Sequence, residues 1–207
     1  MNDGIDARRA TIGDHELVTA TVTAAFEHDP LWSHALARPD GTTDHHSTFW
    51  AEFVAGALEH PWTWISDGDR AVAVWVLPGA HELTPEGEER LTALAHEHLG
   101  PTAHTYLELL QRFEDAHPRR EEHYYLSLLA THPRHRGAGV GMALLRHNLR
   151  LIDDQGAPAY LESSNPVNDK RYAAEGFQPV GRIDYPGGGP TVTTMWRPAR
   201  AGGPPAR

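Results

Sequence analysis

Three glycines at every second position, Gly137, Gly139 and Gly141, sit between an apolar run of strand length and a stretch with helical periodicity. Tyr124 to Ala130 is nearly continuous in apolar residues and reads as a central strand covered on both faces. Beyond the loop, Met142, Leu145, Leu149 and Ile152 recur on one helical face. A strand, a glycine loop and a helix in that order present backbone N–H groups at the positive end of a helix dipole. That is an anion site, most often one for phosphate. Residue identity separates the loop classes. A Walker A loop needs Gly-Lys-Ser/Thr, and the only lysine in the chain is Lys170. A dinucleotide fingerprint needs a third glycine where this loop has Met142. What stands is R-x-x-G-x-G, from Arg136 to Gly141, preceded by Pro133.

The rest of the chain reads as alternating strands and helices. A short strand is expected over Ile5 to Ala10. Thr11 and Asp14 then form a capping box ahead of a first helix that runs to about Glu27. Pro30 breaks the pattern, and a second helix follows over about Asp44 to Leu58. Trp62 to Ser66 and Ala71 to Leu77 pair around a tight turn at Asp67-Gly68. Residues 79–121 are helical, opening with Thr84 as N-cap and Pro85 in the first turn. After the loop helix come a strand over Ala159 to Glu162, a short helix around Lys170 to Glu175, and closing strands at Gln178 to Asp184 and Thr191 to Arg197. The 207 residues suit one domain, with the Pro-, Gly- and Ala-rich tail at 198–207 expected to fray.

Composition excludes several chemistries. The chain has no cysteine, so disulfides, thiolate metal sites and a cysteine nucleophile are ruled out. The net charge of -10 argues against a grip on nucleic acid or anionic membranes and mildly favours cationic ligands. No apolar run approaches the roughly 18 to 20 residues of a membrane helix, and no secretory signal opens the chain, so a cytoplasmic setting is expected. The fifteen histidines include close pairs at His45-His46 and His96/His98, but neither follows H-E-x-x-H, and no metal is expected.

The R-x-x-G-x-G loop resembles the coenzyme A pyrophosphate loop of the GNAT N-acetyltransferase superfamily. Asn168 through Phe177, with Tyr172 and Gly176-Phe177, is similar to that superfamily's late signature. Ala24-Ala-Phe26, Ala71 to Trp75 and Pro158 to Ser163 further resemble the branch that acetylates puromycin-type antibiotics, over about residues 5 to 198. The resemblance implies an α/β fold with a mixed sheet of about six to seven strands. Its central parallel strands splay apart, helices flank it, and residues 79–121 form an insert. It also implies acetyl-CoA as co-substrate and direct transfer to the primary amine of a small cationic acceptor, consistent with a role in antibiotic resistance. A peptide or protein amine, and a non-catalytic acyl-CoA-binding module, are the alternatives. A monomer or a homodimer is compatible with it.

By the same resemblance, backbone groups of Leu129, Ala130 and Thr131 meet the pantetheine arm. Amides of Arg136, Gly137, Ala138, Gly139, Val140, Gly141 and Met142 hold the pyrophosphate, and Arg134 adds a phosphate contact. Tyr172 is the expected general acid toward the departing thiolate, with core packing as its alternative. Asn168 either bonds pantetheine or caps the helix after it. Glu162, at a strand end, is the candidate base or else a solvated residue. The strand Tyr124 to Ala130 carries no carboxylate, so the glutamate some acetyltransferases place there is missing. An α-amine with a pKa of about 8 needs less help than a lysine near 10.4, which favours α-amino acceptors. In the loop after the first helix, Glu27 or Asp29 attracts a cation, and Trp32 stacks on the acceptor or packs in the core.

Overall fold

The computed structural model describes residues 5–200; of the tail expected to fray, residues 201–207 lie outside the described residues. Seven strands form one sheet in the order β1-β2-β3-β4-β5-β7-β6. They are β1 (Ala7–Arg9), β2 (Thr63–Ser66), β3 (Ala71–Val76), β4 (Tyr124–Thr131), β5 (Ala159–Ser163), β6 (Gln178–Asp184) and β7 (Thr191–Arg197). All neighbours pair antiparallel except β4 and β5, which are parallel.

Helices cover both faces. One core gathers α1 (His15–Phe26), α3 (His46–Leu58), α4 (Pro85–Leu99) and α5 (Ala103–Ala116) against Ile65, Val72, Val74 and Leu128. The other packs α6 (Val140–Asp154) on Ala73, Trp75, Leu126 and Leu161. A short α2 (Trp32–Ala35) and α7 (Asp169–Ala174) complete the set. β3, with helices on both sides, is buried at every residue. The Trp75 indole crosses to α6 and donates to Asn148 Oδ1 at 3.1 Å. Arg197, 2% exposed, fastens the last strand to the end of α6 through a bidentate pair with Asp153 at 2.6 and 2.7 Å.

Local signals act as the residue types dictate. The Asp14 carboxylate accepts the Thr11 N–H at 2.8 Å, although the box caps a 3-10 turn over Ile12–Asp14 and α1 begins one residue later. Thr84 Oγ1 accepts the Gly87 N–H at 3.0 Å, and Pro85 opens α4. The insert is two helices, not one, because Gly100-Pro101 interrupts the ladder with a 3-10 turn. Asp67-Gly68 makes the β2–β3 connection with Gly68 at φ 64 and Asp69 at φ 56.

β4 departs from expectation. Its side chains alternate between buried and half-buried, so one set of positions is not fully covered. The cause is a fork in the sheet. The β3–β4 register shifts between Val74 and Trp75, which pair with Leu128 and Leu126 and leave Ser127 as the extra residue of a bulge. Pairing with β5 covers only Tyr124↔Ala159 to Leu126↔Leu161 and then stops. Beyond that point the two parallel strands diverge, and the half-buried positions of β4 face the opening.

Candidate active site

The glycine loop meets the fork from one side. Gly137 at φ 82 and Gly139 at φ 74 take left-handed backbone that other residues adopt only with strain, and no atom lies within 4 Å of where a Cβ would stand on either. The amides at the start of α6 are thereby left open to a ligand. Gly141 is small for another reason: a Cβ there would lie 2.4 Å from Thr131 Oγ1, so glycine is what lets α6 start hard against the end of β4. Arg136 ties the loop to α1 by donating from Nη2 to the Ala25 carbonyl at 2.6 Å.

A cleft of about 560 Å³ runs along this loop. Leu129 and Thr131 of β4 line it, with Arg136, Gly137, Gly139, Val140, Gly141 and Met142; Asn168 and Tyr172 close its far side. Ala130 points into the opposite core, fully buried, and only its backbone faces the fork. The side chains of Arg134 and Ala138 are exposed and do not line the cleft. Asn168 caps nothing. Its Oδ1 accepts from Arg171 at 2.9 Å, while Asn165 caps the preceding turn by accepting the Val167 N–H at 3.1 Å.

At the fork the cleft narrows to a pocket of about 70 Å³ in which Tyr172 and Glu162 come together, with Ser127, Asp29 and Trp32 beside them. Glu162 is not a solvated strand end. Its Oε2 accepts from the Tyr125 hydroxyl at 2.6 Å and its Oε1 from the Tyr160 hydroxyl at 3.0 Å. Burial, reinforced by the charges of Glu82 and Glu114, pushes its carboxyl up to about 8. Burial also raises the Tyr172 phenol well above its ordinary value, with Asp29 and Asp169 adding to the effect. Tyr172 packs edge-on against Phe177 at 6.3 Å, so the packing role and exposure to the pocket hold together.

Past the pocket lies a chamber of about 570 Å³ between the sheet and the insert. Trp32 stands at its entrance, stacked on Phe113 at 5.8 Å and edge-on to Trp50 at 5.1 Å, so it belongs both to the core and to the wall. Glu82 lines this chamber and escaped the sequence reading. Its carboxylate accepts from the hydroxyl of Ser127, the bulge residue of β4. Burial pushes it up to about 7, against the lowering effect of that hydrogen bond. Across the chamber His117 is held down to about 4 by burial and by its neighbour His123. The loop after α1 turns out differently from expectation. Asp29 is 8% exposed and spends its carboxylate on the Leu31 and Trp32 amides at 3.0 and 3.2 Å and on the Ser164 hydroxyl at 2.8 Å. Burial raises its pKa. It builds the turn that carries Trp32 and is not a free anion for a cation. Glu27 lines a separate hollow with Arg38 and His46, away from the chamber.

A sheet forked at two parallel strands, with a glycine loop and helix start on one side and a carboxylate- and tyrosine-lined pocket at the apex, defines a transferase that draws on an acyl-CoA. Residues 23–177 match the model of the Acetyltransferase (GNAT) family, and the chain belongs to that family. It is an acyltransferase of the N-acetyltransferase type, whose members use acetyl-CoA as co-substrate. Solved structures share the fold. One from Corynebacterium glutamicum, described as histone acetyltransferase HPA2 and related acetyltransferase, is 23% identical over 98% of this chain and 99% of that one, with a TM-score of 0.65. The polyamine N-acetyltransferase of Drosophila melanogaster, which forms N-acetylagmatine, is 17% identical over 93% and 98%, with a TM-score of 0.63. A mosquito arylalkylamine N-acetyltransferase is 15% identical over 94% and 99%, with a TM-score of 0.62. The open loop amides and the cleft beside them fit a coenzyme A pyrophosphate. Among the described residues no cluster of three or more histidine or acidic side chains is placed to hold a metal, and no helix is long and apolar enough to cross a membrane.

Proposed function

We propose that this enzyme transfers acetyl directly from acetyl-CoA to the primary amine of a small cationic acceptor, with a puromycin-like aminoacyl amine as the working example. The observation that carries this reading is the chamber beyond the fork. Two half-buried carboxylates, Glu82 and Glu162, face it among the aromatic walls of Trp32, Trp50, Phe53 and Phe113, and no Lys or Arg lines it. Such a space favours a cation with an apolar or aromatic body.

In this reading the amides from Gly137 to Met142 hold the pyrophosphate, backbone groups of Leu129 and Thr131 meet the pantetheine arm, and Asn168 lies alongside it. Acetyl-CoA supplies the thioester. Glu162 takes a proton from the acceptor's ammonium, the freed nitrogen attacks the thioester carbonyl, and the carbon–sulfur bond breaks. The departing thiolate takes the Tyr172 proton, which burial keeps in place at physiological pH, and the second proton of the attacking nitrogen, released as the amide forms, restores the phenol. The products are the N-acetyl amide and free CoA. A carboxyl poised at about 8 is matched to an α-amine, since the two exchange a proton at little cost. The reading takes the enzyme as cytoplasmic and gives it a part in drug resistance.

Thiol release from acetyl-CoA, measured with puromycin, an arginine-rich peptide and a simple amino acid ester, tests it. Rapid release with puromycin or the ester is expected. Release with the peptide alone would move the acceptor class to protein amines.

A further inference from the structure

The cavities of this molecule are arranged in series. Starting from Tyr172, the first pocket holds Glu162. Glu162 also lines the chamber, where Glu82 joins it. Glu82 lines in turn an outer pocket of about 280 Å³, with Glu114 and His117 at its rim. The two inner carboxylates line successive cavities, and their compensation differs from that of the third. Glu114 is exposed and paired with Arg119. Among the described residues Glu82 accepts only from Ser127, and Glu162 only from Tyr125 and Tyr160. Neither has a cationic side chain as partner there.

The fold holds Glu82 in place by two devices. Gly56 on α3 lets the backbone approach: a Cβ there would lie 2.5 Å from the Glu82 carbonyl oxygen. The bulge at Ser127 then turns a hydroxyl toward its carboxylate. The chamber wall carries a further unmet group, the indole N–H of Trp50, which is 1% exposed and has no partner among the described residues. The chamber thus offers one free donor beside two carboxylates that are met only by hydroxyls and by no cationic side chain.

We propose that Glu82 sets acceptor specificity by pairing with a second positive charge, while the reacting amine lies at Glu162, so that an acceptor carrying a second basic group is preferred over its singly charged counterpart. This rests on the reading that Glu162 meets the reacting amine. A monocation compensates one of the two carboxylates and leaves the other protonated or unpaired; a dication compensates both. The raised values at Glu82 and Glu162 are what two such carboxyls show before the ligand arrives.

Steady-state kinetics with 1,4-diaminobutane and n-butylamine, which match in length and differ in one charge, test the proposal. For the wild-type enzyme kcat/KM is expected to favour the diamine by about 30-fold, most of it in KM. Glu82→Gln should cut that ratio by about tenfold, Glu82→Asp should restore part of it, and Gly56→Ala, which displaces the loop but keeps the carboxylate, should lower it as well. Equal kcat/KM for the two amines in the wild type overturns the proposal, as does a Glu82→Gln variant that loses kcat equally for both. Quenching of tryptophan fluorescence by the diamine, with Trp32 and Trp50 in the wall, reads binding without turnover. Glu82-dependent diamine binding with no thiol release would sink the proposed reaction and leave the second-charge site standing. Turnover with no charge preference would do the reverse.

Discussion

The cleft beside the glycine loop and the chamber beyond the fork are of equal size, about 560 and 570 Å³, and are built by opposite means. The cleft is centred on backbone: one continuous segment from Thr131 to Met142 supplies the largest share of its lining, and its glycines matter for what they lack. The chamber is a side-chain site, assembled from α2, α3, α4, α5, β4, β5 and the loop at His81–Leu83. A backbone site recognises what every acyl-CoA has in common. A side-chain site recognises what distinguishes one acceptor from another. Conserving one and varying the other changes the substrate without touching the chemistry.

Breaking the link between the two sites should have the largest effect. Tyr172→Phe, at their junction, is expected to lower kcat by about 10² with CoA affinity nearly intact, measured by thiol release and by CoA titration. Unchanged turnover would remove Tyr172 from the reaction. Glu162→Gln on the chamber side should cost less, about tenfold to 10² with an α-amine acceptor, because part of that amine is already neutral. The wild-type rate should rise with pH until Glu162 is ionised at about 8. A Glu162→Gln profile that keeps this inflection would assign it to another group.

On the cleft side, Gly141→Ala forces a Cβ against Thr131 Oγ1 and should destabilise by about 1 to 3 kcal/mol while raising KM for acetyl-CoA. Adding Thr131→Ala removes the clashing oxygen and should recover at least half of the loss; additive losses would refute steric contact as the cause. The smallest effect concerns stability against pH. Glu82 and Glu162 bind protons more tightly folded, at about 7 and 8, than at their ordinary 4.5. Their contribution is therefore complete below about 4.5 and lost as pH rises through 7 and 8. The melting temperature should fall from pH 5 to 8.5, and the double variant Glu82→Gln with Glu162→Gln should flatten that fall by on the order of a few degrees.

The same contrast explains what could be read from the chain alone. β6 and β7 flank the glycine turn at 187–189 as expected, and the loop before α6 announces itself by three glycines and an arginine. These are local signals, set by neighbours in sequence. Glu82 carries no local signal, because its role depends on Gly56 and Ser127, respectively 26 and 45 positions away. Asp29 shows the converse. Its place in the loop that lines the acceptor pocket of the family it resembles made a cation partner the expectation, but Oδ1 is taken locally by the Leu31 and Trp32 amides and Oδ2 by the Ser164 hydroxyl, 135 positions away. The half-buried face of β4 was hidden for the same reason, since Leu129 looks like any core residue until β5 is seen to turn away.

The fork itself has one more consequence. A sheet ordinarily has two edges, each a hazard because another chain can add a strand to it. Where β4 and β5 part after Leu126 and Leu161, this sheet gains a third edge inside the molecule. That edge lies between α1 and α6, both packed on β4, so a foreign strand cannot pair with it as it could with an outer edge. The enzyme can thus keep hydrogen-bonding groups on offer for its co-substrate without offering them to its own unfolded copies.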